Sequence, residues 1–154
     1  MFGFPVATCC GGTEQTNGWK ASWAEFYAEN RLGAILAECK RTGDADAALE
    51  AMLGRVIDEV VPRLLGDDHL KGVRPVVVHG GLCSASHGVG SIGEGPVEEV
   101  VFDPSCAYAH SEYDLGLMKM FGGFSPSFWK EYKKLVPRSE PVAEWEDRIL
   151  LYEL

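Results

Sequence analysis

Pro75-Val76-Val77-Val78-His79-Gly80-Gly81-Leu82-Cys83-Ser84-Ala85-Ser86 is the stretch whose reading decides the fold, together with the run from Val97 to Phe102 that delivers Asp103-Pro104. The β-branched runs on either side predict two short strands, and six glycines between Gly80 and Gly95 predict a loop between them. Polar side chains are therefore expected at the mouth of a short strand-loop-strand unit. Asp103 before Pro104 reads either as a turn residue at a strand end or as a ligand. His79 reads as a satisfied structural histidine at the head of the loop, and His87, among glycines, as a solvated one.

Working upstream, Ser22 is a good N-cap for a helix carrying Trp23, Phe26, Tyr27, Ala34 and Ile35 and ending near Thr42-Gly43. After Asp44, the positions Leu49, Met52, Leu53, Val56, Ile57, Val60 and Leu64 form one apolar stripe, so a second helix should run to about Leu65 and pack on the first as a hairpin. Residues 1–20 read as an irregular lead-in. Downstream, Ser111 and Asp114 have the form of a capping box opening a helix that stops at Gly122-Gly123. Ser125-Pro126 opens another, with Phe128, Trp129, Tyr132 and Leu135 on its buried side, and Pro137 ends it. A last helix from about Val142 carries Trp145, Ile149 and Tyr152, for which part of the packing partners is expected to be missing at the chain end.

Composition sets outer bounds. At 154 residues and 46% hydrophobic the chain can bury a core, since a domain of this size hides about 68–70% of its unfolded surface. A net charge of -9 repels phosphate backbones and anionic lipid, which argues against nucleic-acid or membrane-surface partners. The first ten residues lack a basic and apolar leader pattern, and no run approaches the ~18 apolar residues of a membrane span, so a cytoplasmic location is expected. The five cysteines include no CxxC pair, which points to reduced thiols packed in the interior rather than a disulfide framework or a zinc site.

The strand, loop and second strand have the layout of a kinase catalytic loop followed by a metal-binding aspartate. In phosphoryl transfer one aspartate accepts the hydroxyl proton, an asparagine five residues on holds a metal ion, and a second aspartate on the next strand holds metal across the phosphates. Gly81, Ser86 and Asp103 fall at those three places. Phe2-Gly3-Phe4, Thr8-Cys9-Cys10-Gly11, Gln15-Thr16-Asn17, Val78-His79-Gly80, Phe102-Asp103-Pro104-Ser105, His110-Ser111-Glu112 and Met120-Phe121-Gly122-Gly123-Phe124 make the chain resemble the fructosamine/ribulosamine 3-kinase family over nearly its whole length.

The resemblance implies a mainly helical α+β fold, the large C-terminal lobe of a protein-kinase-like, aminoglycoside-phosphotransferase-type enzyme, with a short β-hairpin bearing the catalytic loop. It implies one partial domain over residues 1–154, with the small ATP-binding lobe lying before the equivalent of Met1. It also implies ATP and Mg²⁺ as cofactors, glycated protein or a small ketosamine as substrate, Asp103 as the Mg²⁺ ligand, and His110 and Glu112 as supporting residues, while the local pattern makes Asp114 a capping partner rather than a ligand. The family loop reads His-Gly-Asp-Leu-Trp-Ser-Gly-Asn, against His79-Gly80-Gly81-Leu82-Cys83-Ser84-Ala85-Ser86 here. Glycine cannot accept a proton, and losing a positioned general base costs about 10²–10⁴ in rate. Two readings stay open: descent from a ketosamine 3-kinase with no activity in this chain alone, and a non-catalytic fragment or binding module.

Overall fold

A computed structural model describes residues 1–154. The lead-in is less irregular than its composition suggests. Thr8–Cys10 (β1) and Thr13–Gln15 (β2) form a small antiparallel hairpin, and Phe2 and Gly3 bridge to Lys20 and Tyr108. The first helical run has three parts, α1 (Trp23–Tyr27), a π-helical segment Ala28–Gly33, and α2 (Ala34–Thr42), closed by Gly43 in the left-handed conformation. The second comprises α3 (Ala47–Arg55), a π-helical segment Val56–Val60, and α4 (Val61–Leu65). Its start is fixed by Asp46, whose carboxylate accepts the Leu49 N–H at 2.8 Å. The two runs pack with α1 against α4, as expected of a hairpin. Burial concentrates at that end, where Val61, Leu64 and Leu65 enter the core while Leu49 and Met52 at the other end remain exposed.

Strand pairing is the main departure from the local reading. Val76–Val78 (β3) pairs antiparallel with Ala107–Ala109 (β6), an Ala-Tyr-Ala strand that carried no β-branched signal. The run after Val97 forms Glu98–Val101 (β5), and its partner is His87–Gly90 (β4), a strand drawn from inside the glycine-rich loop. The hairpin therefore follows the loop, and β3 and β5 belong to separate two-stranded sheets.

The core centres on Trp23, 1% exposed, whose ring lies within 6.4 Å of those of Phe2, Phe26, Tyr27, His110, Tyr113 and Tyr152. Removing such an aromatic costs about 3–5 kcal/mol, so this cluster outweighs any single hydrogen bond in the fold. Two helices complete the body: α5 (Tyr113–Phe121) packs on α7 (Trp145–Tyr152). Trp145, Ile149 and Tyr152 are all buried within the chain itself, which corrects the expectation that they lack partners. The helix α6 (Pro126–Leu135) is capped by Ser125, whose hydroxyl accepts the Phe128 N–H at 3.1 Å. It lies on the surface, with no buried residue and Leu135 81% exposed, so its aromatic stripe is a partial cover rather than core. No helix is long and apolar enough to cross a membrane.

Candidate active-site loop

The loop after β3 is held from behind by Asp114, in the first turn of α5. Its carboxylate accepts the N–H groups of His79 at 2.8 Å and Gly80 at 2.7 Å. Burial pushes its carboxyl pKa up, and these two bonds draw it partly back. This replaces the capping-box role expected with Ser111. The N-cap is Glu112, without a side-chain cap bond, because two buried loop amides within reach need a partner more than a helix end that water can serve. Only a contact 34 residues away in sequence reveals Asp114, so no local pattern could have found it.

His79 behaves as the structural histidine expected. Its Nδ1 accepts the Gly81 N–H at 3.3 Å, which leaves Nε2 protonated to donate to the Phe102 carbonyl at 3.0 Å. One ring thus ties the loop to the end of β5. Gly80 must be glycine: its φ is 78°, and a Cβ there would lie 2.2 Å from the Ser105 carbonyl oxygen.

Gly81 is different, because a Cβ at that position would meet only ordinary contacts, with Ser105 Oγ at 3.5 Å, Cys10 Sγ at 3.9 Å and His79 Nδ1 at 4.0 Å. A side chain fits; none is there. The three atoms nearest such a Cβ belong to a hydroxyl, a thiol and a ring nitrogen already holding the Gly81 N–H, and the Asp114 carboxylate behind the loop is bonded to the neighbouring Gly80 N–H. Ser86 is buried, closing a one-turn 3₁₀ helix over Ser84–Ser86. Its hydroxyl donates to the Gly81 carbonyl at 3.0 Å and accepts the Cys83 N–H at 3.0 Å, so its hydrogen bonds point into the loop.

Asp103, two residues beyond β5, has φ at 59°, the one non-glycine residue in the left-handed region. Asp tolerates that conformation better than most residues. Bonds on both sides impose it: Phe102 N–H to Ser86 O at 3.0 Å and Ser105 N–H to His79 O at 2.8 Å. The Asp103 side chain is exposed. His87, opposite Val101 in the β4–β5 pair, is half-buried and hydrogen-bonded to Glu99 at 2.7 Å, which corrects its reading as a solvated loop residue.

His110 and Glu112 sit in a separate buried network. Trp23 Nε1–H donates to the Tyr152 hydroxyl at 2.7 Å, which donates to His110 Nδ1 at 2.8 Å, and His110 Nε2–H donates to Ser139 Oγ at 2.8 Å. Glu112 accepts Arg148 Nε at 2.7 Å and Nη2 at 3.1 Å, and the Ser139 N–H at 2.7 Å. Both residues fasten α7 and the segment before it to the foot of α5, and neither bonds Asp103. Burial holds the His110 imidazole down at about 4. All five cysteines are unpaired, and Cys9 is exposed rather than packed inside.

A family model described as fructosamine kinase matches residues 1–154. The chain belongs to the fructosamine kinase family. It is 37% identical to a mouse ketosamine-3-kinase, covering all of this chain and 46% of that protein. It is 34% identical to a chloroplastic protein-ribulosamine 3-kinase of Arabidopsis thaliana, covering 98% of this chain and 43% of the relative. The crystal structure of a fructosamine-3-kinase from Haemophilus somnus superposes with a TM-score of 0.76 at 25% identity, over 99% of this chain and 46% of that one. The chain spans about half the length of the curated relatives it matches.

Fructosamine kinases, as kinases, imply ATP and with it Mg²⁺. Mg²⁺ is held by about one or two carboxylates together with substrate phosphates. Asp103 supplies one exposed carboxylate, no three His, Cys, Asp or Glu side chains converge, and the Ser86 hydroxyl is turned into the loop. The residues present do not fit the two-position metal arrangement of the family loop.

Proposed function

We propose that this chain is the large-lobe half of a ketosamine 3-kinase fold that does not catalyse phosphoryl transfer by itself. The parent reaction is ATP-dependent phosphorylation of the 3-hydroxyl of a ketosamine, free or on a glycated protein, and the cytoplasm is the location proposed for this chain. The single observation that carries the reading is Gly81: the position has room for a side chain, and glycine supplies no carboxylate there. Without a proton acceptor the attacking hydroxyl must lose its proton to water, a loss of about 10²–10⁴ in rate. Ser86, bonded to Gly81 O, weakens the second metal position further. Asp103 is the residue assigned to hold Mg²⁺ where nucleotide is present.

The self-contained hydrogen bonding of the loop supports a second reading, a non-catalytic binding module. Asp114, His79 and Ser86 fix its shape without a ligand. Titration of the chain with Mg·ATP in a calorimeter tests the first reading, with affinity expected no tighter than about 1 mM, a free energy near 4 kcal/mol. A micromolar affinity abolished by Asp103→Asn would overturn it.

A further inference from the structure

The β4–β5 hairpin carries apolar side chains that the fold does not cover. Val89, Ile92, Val97, Val101 and Phe102 are between 49% and 76% exposed, and every residue from Ser91 to Glu99 is exposed. A scattered exposed valine needs no explanation, but five large apolar side chains on one two-stranded sheet do. Such a sheet is marginal by itself and gains stability when another element packs on it.

Charge narrows what that element is. Residues 87–103 hold Glu94, Glu98, Glu99 and Asp103 and no lysine or arginine, so a matching surface is apolar and basic. The α6 helix and the turn after it have that chemistry: Lys130, Lys133, Lys134 and Arg138 stand against Glu131 alone, in a chain of net charge -9. Phe128 and Leu135, seven residues apart and hence on one side of the helix, are exposed with them. The ten residues of α6 span about 15 Å and the four-residue strands about 13 Å, so the two surfaces match in length.

Within one copy the base of the hairpin lies beside the start of α6, with the His87 and Phe124 rings 5.4 Å apart. The opposite charges do not meet there. Glu99 pairs with His87 and Lys134 with Glu131, while Glu94, Glu98, Lys130 and Lys133 are in no ion pair. We propose that a second copy of this chain covers these surfaces, the hairpin of each copy packing on α6 of the other. The side-by-side placement lets a two-fold axis use the contact twice, which closes the assembly at two copies. The five apolar side chains leave roughly 500 Å² of the hairpin uncovered, and α6 with its lysine stems adds a further share, which brings the reciprocal pair to about 800 Å² per partner, the size of a stable interface. The inference is independent of the phosphoryl-transfer reading, and its test uses no nucleotide.

The experiment is sedimentation equilibrium of the purified chain, with two charge-reversed variants: Glu94→Lys with Glu98→Lys on the hairpin, and Lys130→Glu with Lys133→Glu on α6. The native chain should pass from one copy to two as its concentration rises to about 1 mM, a range that captures even weak complexes. Raising the salt from about 0.1 M to about 1 M, which shortens the screening length from about 10 to about 3 Å, should weaken association ~10-fold. Each variant alone sets like charges against each other and should associate at least ~10-fold more weakly, with a melting temperature within a few degrees of the native chain because every changed position is exposed. An equimolar mixture of the two variants restores opposite charges at both contacts and should recover the native affinity. A native chain that stays single throughout, association indifferent to the reversals, or a mixture no stronger than its parts would each overturn the proposal.

Discussion

His110 makes the stability of this fold depend on pH in a way that can be calculated. The imidazole is 1% exposed, and its hydrogen bonds fix the neutral tautomer, since Trp23 can only donate and so directs the Tyr152 hydroxyl proton onto His110 Nδ1. Burial is the chief cause of its low pKa; Glu112 at 3.9 Å acts to raise it and Arg148 to lower it. The unfolded chain takes up a proton near pH 6.5, whereas the folded chain resists until about 4. The contribution is therefore fully present above pH 6.5 and is lost as pH falls toward 4. Between pH 7.5 and 5 the expected loss is about 2 kcal/mol, from roughly 1.4 kcal/mol for each unit by which the two pKa values differ. Urea unfolding of the native chain and of His110→Gln, which can keep both hydrogen bonds but cannot titrate, isolates this term from the carboxylates. The difference in stability between the two should shrink by that amount over this range. A difference that stays constant within about 0.5 kcal/mol, inside ordinary extrapolation error, would refute the reasoning.

Three substitutions probe the loop and the helix crossing. Asp114→Ala strands two buried N–H groups and should open the loop by about 3 kcal/mol, read as ~100-fold faster amide exchange at His79 and Gly80 with far smaller changes at Phe26 and Ile149. Gly116→Ala places a Cβ 2.4 Å from the Tyr152 carbonyl oxygen where α5 crosses α7, and should cost about 1–3 kcal/mol by thermal or urea unfolding. Gly81→Asp should leave the melting temperature within a few degrees, since its Cβ meets only ordinary contacts, and should not by itself restore phosphoryl transfer while Ser86 remains.

The parts of the fold written in local chemistry were legible in the sequence. Gly43 and Ser125-Pro126 mark real helix boundaries, and the Trp23, Phe26, Tyr27 face does enter the core. What escaped depends on partners distant in the chain. β6 is Ala107-Tyr108-Ala109, with no β-branched residue, and becomes a strand because β3 and Gly3 both bond to it. Leu135 follows a helical apolar pattern yet faces water, because no other element packs over the end of α6. At the site, the motif read His79, Gly80, Gly81 and Ser86 as one loop with Asp103 delivered by the next strand, and it could not show that Asp114 holds that loop or that Ser86 closes it.

The central claim, that Gly81 leaves this loop without its proton acceptor, is tested most directly by phosphate transfer from radiolabelled ATP to a synthetic ketosamine in the presence of Mg²⁺. The purified chain is assayed beside an intact ketosamine 3-kinase. Incorporation should not exceed the buffer control. A turnover within about tenfold of the intact enzyme, less than the loss expected for a missing general base, would contradict the account.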